Sequence, residues 1–96
     1  MHVLALAVDP HLPDCRSLKA KRSVLRPIVE GTRARFPVAV AETAWQDTWQ
    51  RAQIGVAAVS SSARVAQEIV DDVERFVWSF PDVEVTEVRR HWMEED

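Results

Sequence analysis

The hydrophobic pattern of this 96-residue chain alternates between a strand period and a helix period, and that alternation limits the fold more than any single residue does. His2 to Asp9 is a Val/Leu/Ala-rich run, too short for a helix and stopped by Pro10, which predicts a buried strand. Pro10 to Ser17 holds two prolines and finishes on a good N-cap, so it reads as a loop entering a helix. From Leu18 the period lengthens: Leu25, Ile28, Val29, Thr32 and Phe36 share one sector, with Lys19, Arg22, Arg26 and Arg33 along its flank. Pro27 removes one helical hydrogen bond, at about 3 kcal/mol in an ideal interior. The apolar stripe keeps its phase across Pro27, which predicts one bent helix that Pro37 closes.

Val38 to Trp45 then alternates as a strand, Gln46-Asp47-Thr48 forms a tip, and a second strand runs from about Trp49 to Ser60, together a hairpin. Ser60, Ser61 and Ser62 offer caps for a second helix with Val65, Ile69, Val70, Val73, Phe76 and Val77 on its apolar face, ending near Pro81. Asp82 to Trp92 alternates at Val83 and Val85 and shifts phase at Val88, the mark of a bulge in a final strand. The order strand, helix, strand, strand, helix, strand predicts a single α+β domain over residues 1–96 of the ferredoxin-like βαββαβ type. One four-stranded antiparallel sheet then carries both helices on one face. Disorder is expected only at the ends, chiefly Glu94, Glu95 and Asp96.

Strand parity assigns each face of that sheet, because alternate residues point to opposite sides. Leu4, Leu6, Val8, Val38, Val40, Ile54 and Val56 form the helix-facing set. The other face is Val3, Ala5, Ala7, Ala39, Ala41, Thr43, Trp45, Gln53, Gly55, Ala57 and Val59, which is small, flat and largely apolar. A surface of that kind calls for a cover. A second copy of the chain is the simplest one, since a two-fold pairing needs only one self-complementary patch. A homodimer or higher homo-oligomer is therefore expected, with Val3, Ala5, Ala7, Ala39, Ala41, Thr43, Trp45 and Ala57 at the interface.

Charge is distributed just as unevenly. Between Arg16 and Phe36 the chain holds seven basic residues against one acid, Glu30, although its formal net charge is −3. A one-sided basic patch is the electrostatic footprint of a polyanion partner, which net charge alone would have argued against. Lys19, Lys21, Arg22, Arg26 and Arg33 are the candidate nucleic-acid-binding residues. Their structural alternative is a solvated flank whose stems cover the apolar stripe, with Glu30 pairing Arg26 or Arg33 at helical spacing. Against it, most of the acids lie after Ala66, so local pairing is incomplete.

Other constellations carry less chemistry. Arg16 and Ser17 at a helix N-terminus form a candidate anion site, with simple capping by Ser17 as the plainer reading. The chain has no Asn and no Gly-rich cradle there, which argues against acyl-phosphate hydrolysis. Cys15 has no evident base, and the three histidines complete neither a triad nor a metal site, so no catalytic residue, cofactor, metal or small-molecule substrate is assigned. Trp45 and Trp49 bracket the hairpin tip with Gln50 and Arg51 behind them, an arrangement suited either to packing or to stacking on bases. Sheet-face stacking of the RNA-recognition-motif kind is excluded, because Val3–Val8 and Ile54–Val59 carry no ring. The lone Cys15, the short apolar run Val3–Val8 with no basic leader, and the lack of a membrane-length apolar stretch make a cytoplasmic protein without a membrane partner the expectation.

The runs Ser17-Leu18-Lys19-Ala20-Lys21-Arg22-Ser23-Val24-Leu25-Arg26, Arg35-Phe36-Pro37-Val38-Ala39-Val40-Ala41-Glu42 and Gln46-Asp47-Thr48-Trp49-Gln50-Arg51-Ala52, with Val59-Ser60, resemble the YlxP-like family of bacterial proteins, a domain of unknown function. The resemblance spans nearly the whole chain. It implies a ferredoxin-like fold that often self-associates, genes that sit among those for translation initiation and ribosome maturation, and no known catalytic residues. Two positions depart from the family pattern: Ala20, where an acid often completes a capping box with Ser17, and Trp45, where a His is common. The leading expectation is thus a non-enzymatic homo-oligomer associated with RNA or the ribosome. Its alternative is a protein-interaction module that works through the open sheet face without nucleic acid.

Overall fold

The computed structural model, which describes residues 1–95, runs β1 (His2–His11), α1 (Leu18–Arg35), β2 (Val38–Ala44), β3 (Gln53–Ser60), α2 (Ala63–Trp78) and β4 (Glu84–Glu94). The strands form one antiparallel sheet in the order β2-β3-β1-β4, and α1 packs on β2 while α2 packs on β1 and β3. This is the ferredoxin-like α+β arrangement that the pattern predicts. Among the described residues no helix is long and apolar enough to cross a membrane.

The core forms where strand parity and helix periodicity put it. Leu4, Leu6, Val8, Val40, Ile54 and Val56 are buried beneath the helices, joined by Ala58, with Val38 half-buried at the edge. From above, α1 contributes Leu25 and Ile28, and α2 contributes Ala66, Val70, Val73 and Val77. Each fully buried aliphatic side chain stabilises the fold by roughly 1.5–3 kcal/mol, so these layers carry most of the stability. The helices meet at Gly31, where an added Cβ would lie 2.7 Å from Cζ of Phe76. Phe76 in turn stacks edge-on with Phe36 and Phe80, at 5.8 and 5.1 Å between centroids.

Caps fall on Ser17, whose hydroxyl accepts from Ala20 N (3.0 Å), and on Ser62, which accepts from Val65 N (3.3 Å). Helix α1 runs through Pro27 as one element and ends at Phe36, where the backbone turns extended before Pro37. Five boundaries differ from the sequence expectation: β4 starts at Glu84 instead of Asp82, and the other four have a local reason. β1 continues through Pro10 to His11 because the residue lacking an N–H sits at a bulge: Asp9 pairs with Glu87 and Pro10 with Val85. The extra residue is therefore Thr86, which gives the phase shift expected by Val88, and its hydroxyl donates to the Asp9 carbonyl (2.9 Å).

β2 stops at Ala44 and β3 starts at Gln53, so residues 45–52 form a longer loop than the three-residue tip expected. Its second half is bound to the end of β1 instead of to β2: Leu12 N donates to Gln50 O (3.0 Å) and Ala52 N to Pro10 O (3.3 Å). β4 also extends to Glu94, which the expectation had as disordered. Glu94 pairs with His2 in the ladder and lies 3.1 Å from its Nδ1, while Glu95 N donates to Met1 O (2.9 Å). Asp96, the rest of that expected tail, lies outside the described residues.

Candidate nucleic-acid interface

Of the five basic residues singled out on α1, the structure leaves three unpaired on its exposed flank. Lys19, Arg22 and Arg26 are exposed, and among the described residues no carboxylate lies within ion-pair distance of any of them. Arg33 belongs to the same flank but is held: one guanidinium nitrogen donates to Glu30 (2.9 Å) and another to the Val40 carbonyl (3.0 Å). The first turn of α1 contains no acid. Cations near a helix N-terminus oppose the helix dipole, at roughly 0.3–1 kcal/mol each. Lys19 is thus at the wrong end of the helix for stability.

Lys21 does not belong to this surface. It is 2% exposed, its ammonium lies 2.8 Å from Oε2 of Glu42 on β2, and it donates to the Trp45 carbonyl at 2.6 Å. A buried ammonium is tolerated only when paired and hydrogen-bonded, and here both conditions are met. The signal was present in the spacing: Lys21, Leu25, Ile28 and Thr32 are the residues of α1 that are buried, and they follow one another by four, three and four. Lys21 sits on the apolar stripe. Arg35 is likewise occupied, its guanidinium 4.8 Å from the centre of the Phe76 ring.

The bond from Lys21 fixes the loop at residues 45–52 beside the basic flank. Trp45 leaves β2 with φ 65, the one left-handed non-glycine residue among the described residues, and its carbonyl accepts from both Lys21 Nζ and Thr48 N (3.0 Å). That turn rotates Trp45 out of the sheet, so it does not join the open face on which strand parity placed it. Its ring lies instead against Arg51, 3.8 Å from guanidinium carbon to ring centre. Trp49 is 49% exposed in the same loop. Arg22, Arg26, Gln46 and Glu42 line one groove of about 200 Å³ between α1 and the edge of β2.

The loop before α1 is tied down by its own contacts. Arg16 donates to the Pro13 carbonyl (3.1 Å) and Ser17 is used as the cap. Gln50 reaches in from the β2–β3 loop and donates to the Cys15 carbonyl at 3.3 Å. Cys15 is buried, and burial, aided by the charge of Asp14, pushes its thiol above the ordinary value. A thiol so placed is a poor nucleophile.

On the sheet face away from the helices, the register aligns Ala39, Ala57, Ala5 and His91 in one row and Ala41, Gly55, Ala7 and Arg89 in the next. These rows floor a shallow trough of about 700 Å³, with the Thr43 hydroxyl donating to Gln53 Oε1 (2.7 Å) at one end. Beyond the other end lie Val59 and Met93, both opposite Val3 and each about 60% exposed at 59% and 61%. Gly55 is required there, because an added Cβ would lie 2.6 Å from Cγ2 of Thr43.

Residues 3–90 match the family model described as "Protein of unknown function (DUF503)". The chain is also similar to "Uncharacterized protein YlxP" of Bacillus subtilis (strain 168), 43% identical over 79 residues that cover 82% of this chain and 86% of that protein.

Proposed function

The chain belongs to the DUF503 family of unknown function, which hands on no activity, and we propose from its own geometry that it is a non-enzymatic cytoplasmic protein that binds RNA, free or in the ribosome. The observation that carries this is the unpaired row Lys19, Arg22 and Arg26, which starts with a cation opposing the dipole of its own helix and lies far in sequence from most of the acids. Arg33 adds its remaining surface to the row, although two of its nitrogens are already engaged. The test is binding of a structured RNA across a salt series. Three phosphate contacts imply an affinity loss of roughly 20- to 40-fold between about 50 and about 200 mM salt. Binding that ignores salt, or no binding, overturns the proposal.

The trough supports a second element of the same reading, self-association through the sheet. Four strands about 4.8 Å apart and about seven residues of about 3.4 Å give a face of roughly 450 Å² per copy. The roughly 900 Å² buried by two copies falls just short of the ~1,000 Å² expected of a stable interface, so the dimer is weak and concentration-dependent. Sedimentation across the micromolar range checks this. Ala57→Arg, in the middle of the floor, leaves a monomer, and a wild-type protein that stays monomeric throughout removes the sheet face from the proposal.

A further inference from the structure

We infer that the end of the domain carrying the β2–β3 loop is a stacking platform for unpaired bases, which makes the RNA partner single-stranded. This rests on the basic row binding phosphate and goes on to say what kind of RNA fits it. Trp49 presents an exposed ring in the loop, and Trp45 presents a ring backed by the Arg51 guanidinium at 3.8 Å. Exposed indole rings and guanidinium planes are the surfaces on which splayed bases stack. Neither ring is needed by the core.

The loop is also held in place, which a merely solvated turn is not. Lys21 buries a charge against Glu42 to reach the Trp45 carbonyl, and the left-handed φ of 65 at Trp45 is a conformation bulky residues rarely take. Buried ion pairs add little net stability over apolar packing. What this one does is fix the position of Trp45 against α1, so Lys21 is a positioning residue. Gln46, the chain neighbour of Trp45, shares a groove with Arg22 and Arg26, which Glu30 and Glu42 also line, so the loop that carries the rings borders the phosphate-binding cations. Asp47 is the loop's only acid. A duplex offers phosphates to the row but no free base faces to the rings.

The experiment compares an unstructured RNA of about 12 nucleotides with a duplex of the same length by fluorescence anisotropy. Wild type binds the single strand at least tenfold more tightly. Trp49→Ala weakens the single strand by about 5- to 100-fold, leaves duplex binding unchanged, and has an unaltered circular dichroism spectrum because the ring is half-exposed. Arg22→Glu with Arg26→Glu weakens both RNAs. Equal affinity for the two RNAs, or a Trp49→Ala variant that binds the single strand like wild type, overturns the platform and leaves the phosphate row standing. Failure of wild type to bind either RNA overturns both.

Discussion

On α2 and β4 every arginine holds a carboxylate, whereas on the β1–α1 loop, α1 and the β2–β3 loop most basic side chains hold none. Arg64 pairs with Glu68, Arg75 with Asp72, Arg89 with Glu87 and Asp9, and Arg90 with both Asp71 and Glu74. Arg16, Lys19, Arg22, Arg26, Arg35 and Arg51 find no acid among the described residues, and only Lys21 and Arg33 on that side do. Ten of the fifteen acids follow Ala66, so the second half neutralises its own charge locally. Helical i,i+3 and i,i+4 partners are therefore available to this protein, and on α1 only Arg33, with Glu30, takes one among the described residues. The contrast separates charges that serve the fold from charges left for a partner.

The pair that breaks the pattern on α1 should produce the largest effect. Lys21→Ala leaves the Glu42 carboxylate without its partner and the Trp45 carbonyl with Thr48 N alone, and is expected to cost about 3 kcal/mol, at the lower end for a broken buried pair because Glu42 keeps some exposure. Lys21→Met combined with Glu42→Gln restores most of it, since neither variant then buries an uncompensated charge. Urea denaturation of the three proteins, wild type included, reads this directly. A loss under about 0.5 kcal/mol for Lys21→Ala would place this lysine with the solvated charges.

Next comes the unpaired row itself. Arg22→Glu with Arg26→Glu is expected to change stability by no more than about 0.5 kcal/mol, as surface substitutions do. The same variant should flatten the dependence of RNA affinity on salt by about 1.4 to 1.8 log units per log unit, the share of two phosphate contacts. Stability lost in step with binding would mean that the row serves the fold.

How far these roles can be read in the sequence depends on whether neighbours along the chain settle them. The alternation of periods is local and places every element, and strand parity assigns both sheet faces from Val3 to Val59 because the pleat is strictly two-residue. Lys21 defeats such reading by residue type, although its position on the stripe of Leu25, Ile28 and Thr32 marks it. Trp45 defeats it for another reason: parity holds only while the strand does, and the strand ends where the carbonyl is taken by a lysine 24 residues earlier. The long loop is hidden in the same way, since what holds residues 50–52 is the backbone of Pro10 and Leu12. Contacts distant in sequence leave no periodic trace.

Smaller effects are expected on the paired side. Burial works to lower the Arg90 pKa, yet the hydrogen bonds and charges of Asp71 and Glu74 more than offset it and leave it raised. Arg90→Ala unties α2 from β4 and should cost about 1 kcal/mol, after allowance for its exposure to solvent. Single-stranded RNA affinity should not change. If it falls as far as in the Arg22 and Arg26 variant, net charge and not the row governs binding.

The smallest effect comes from giving α1 what α2 already has. Ser23 is exposed, four residues after Lys19 and three before Arg26, so Ser23→Glu supplies both cations with a carboxylate at helical spacing. Two solvent-exposed pairs of this kind contribute about 0.2–0.5 kcal/mol each, so a slight rise in the urea midpoint is expected. Affinity for single-stranded RNA should fall severalfold at low salt and converge on wild type at high salt, where exposed charges are screened. Stability and binding would then move in opposite directions through one side chain. A variant that gains stability and keeps its affinity would show that the unpaired state of Lys19 and Arg26 is incidental to RNA.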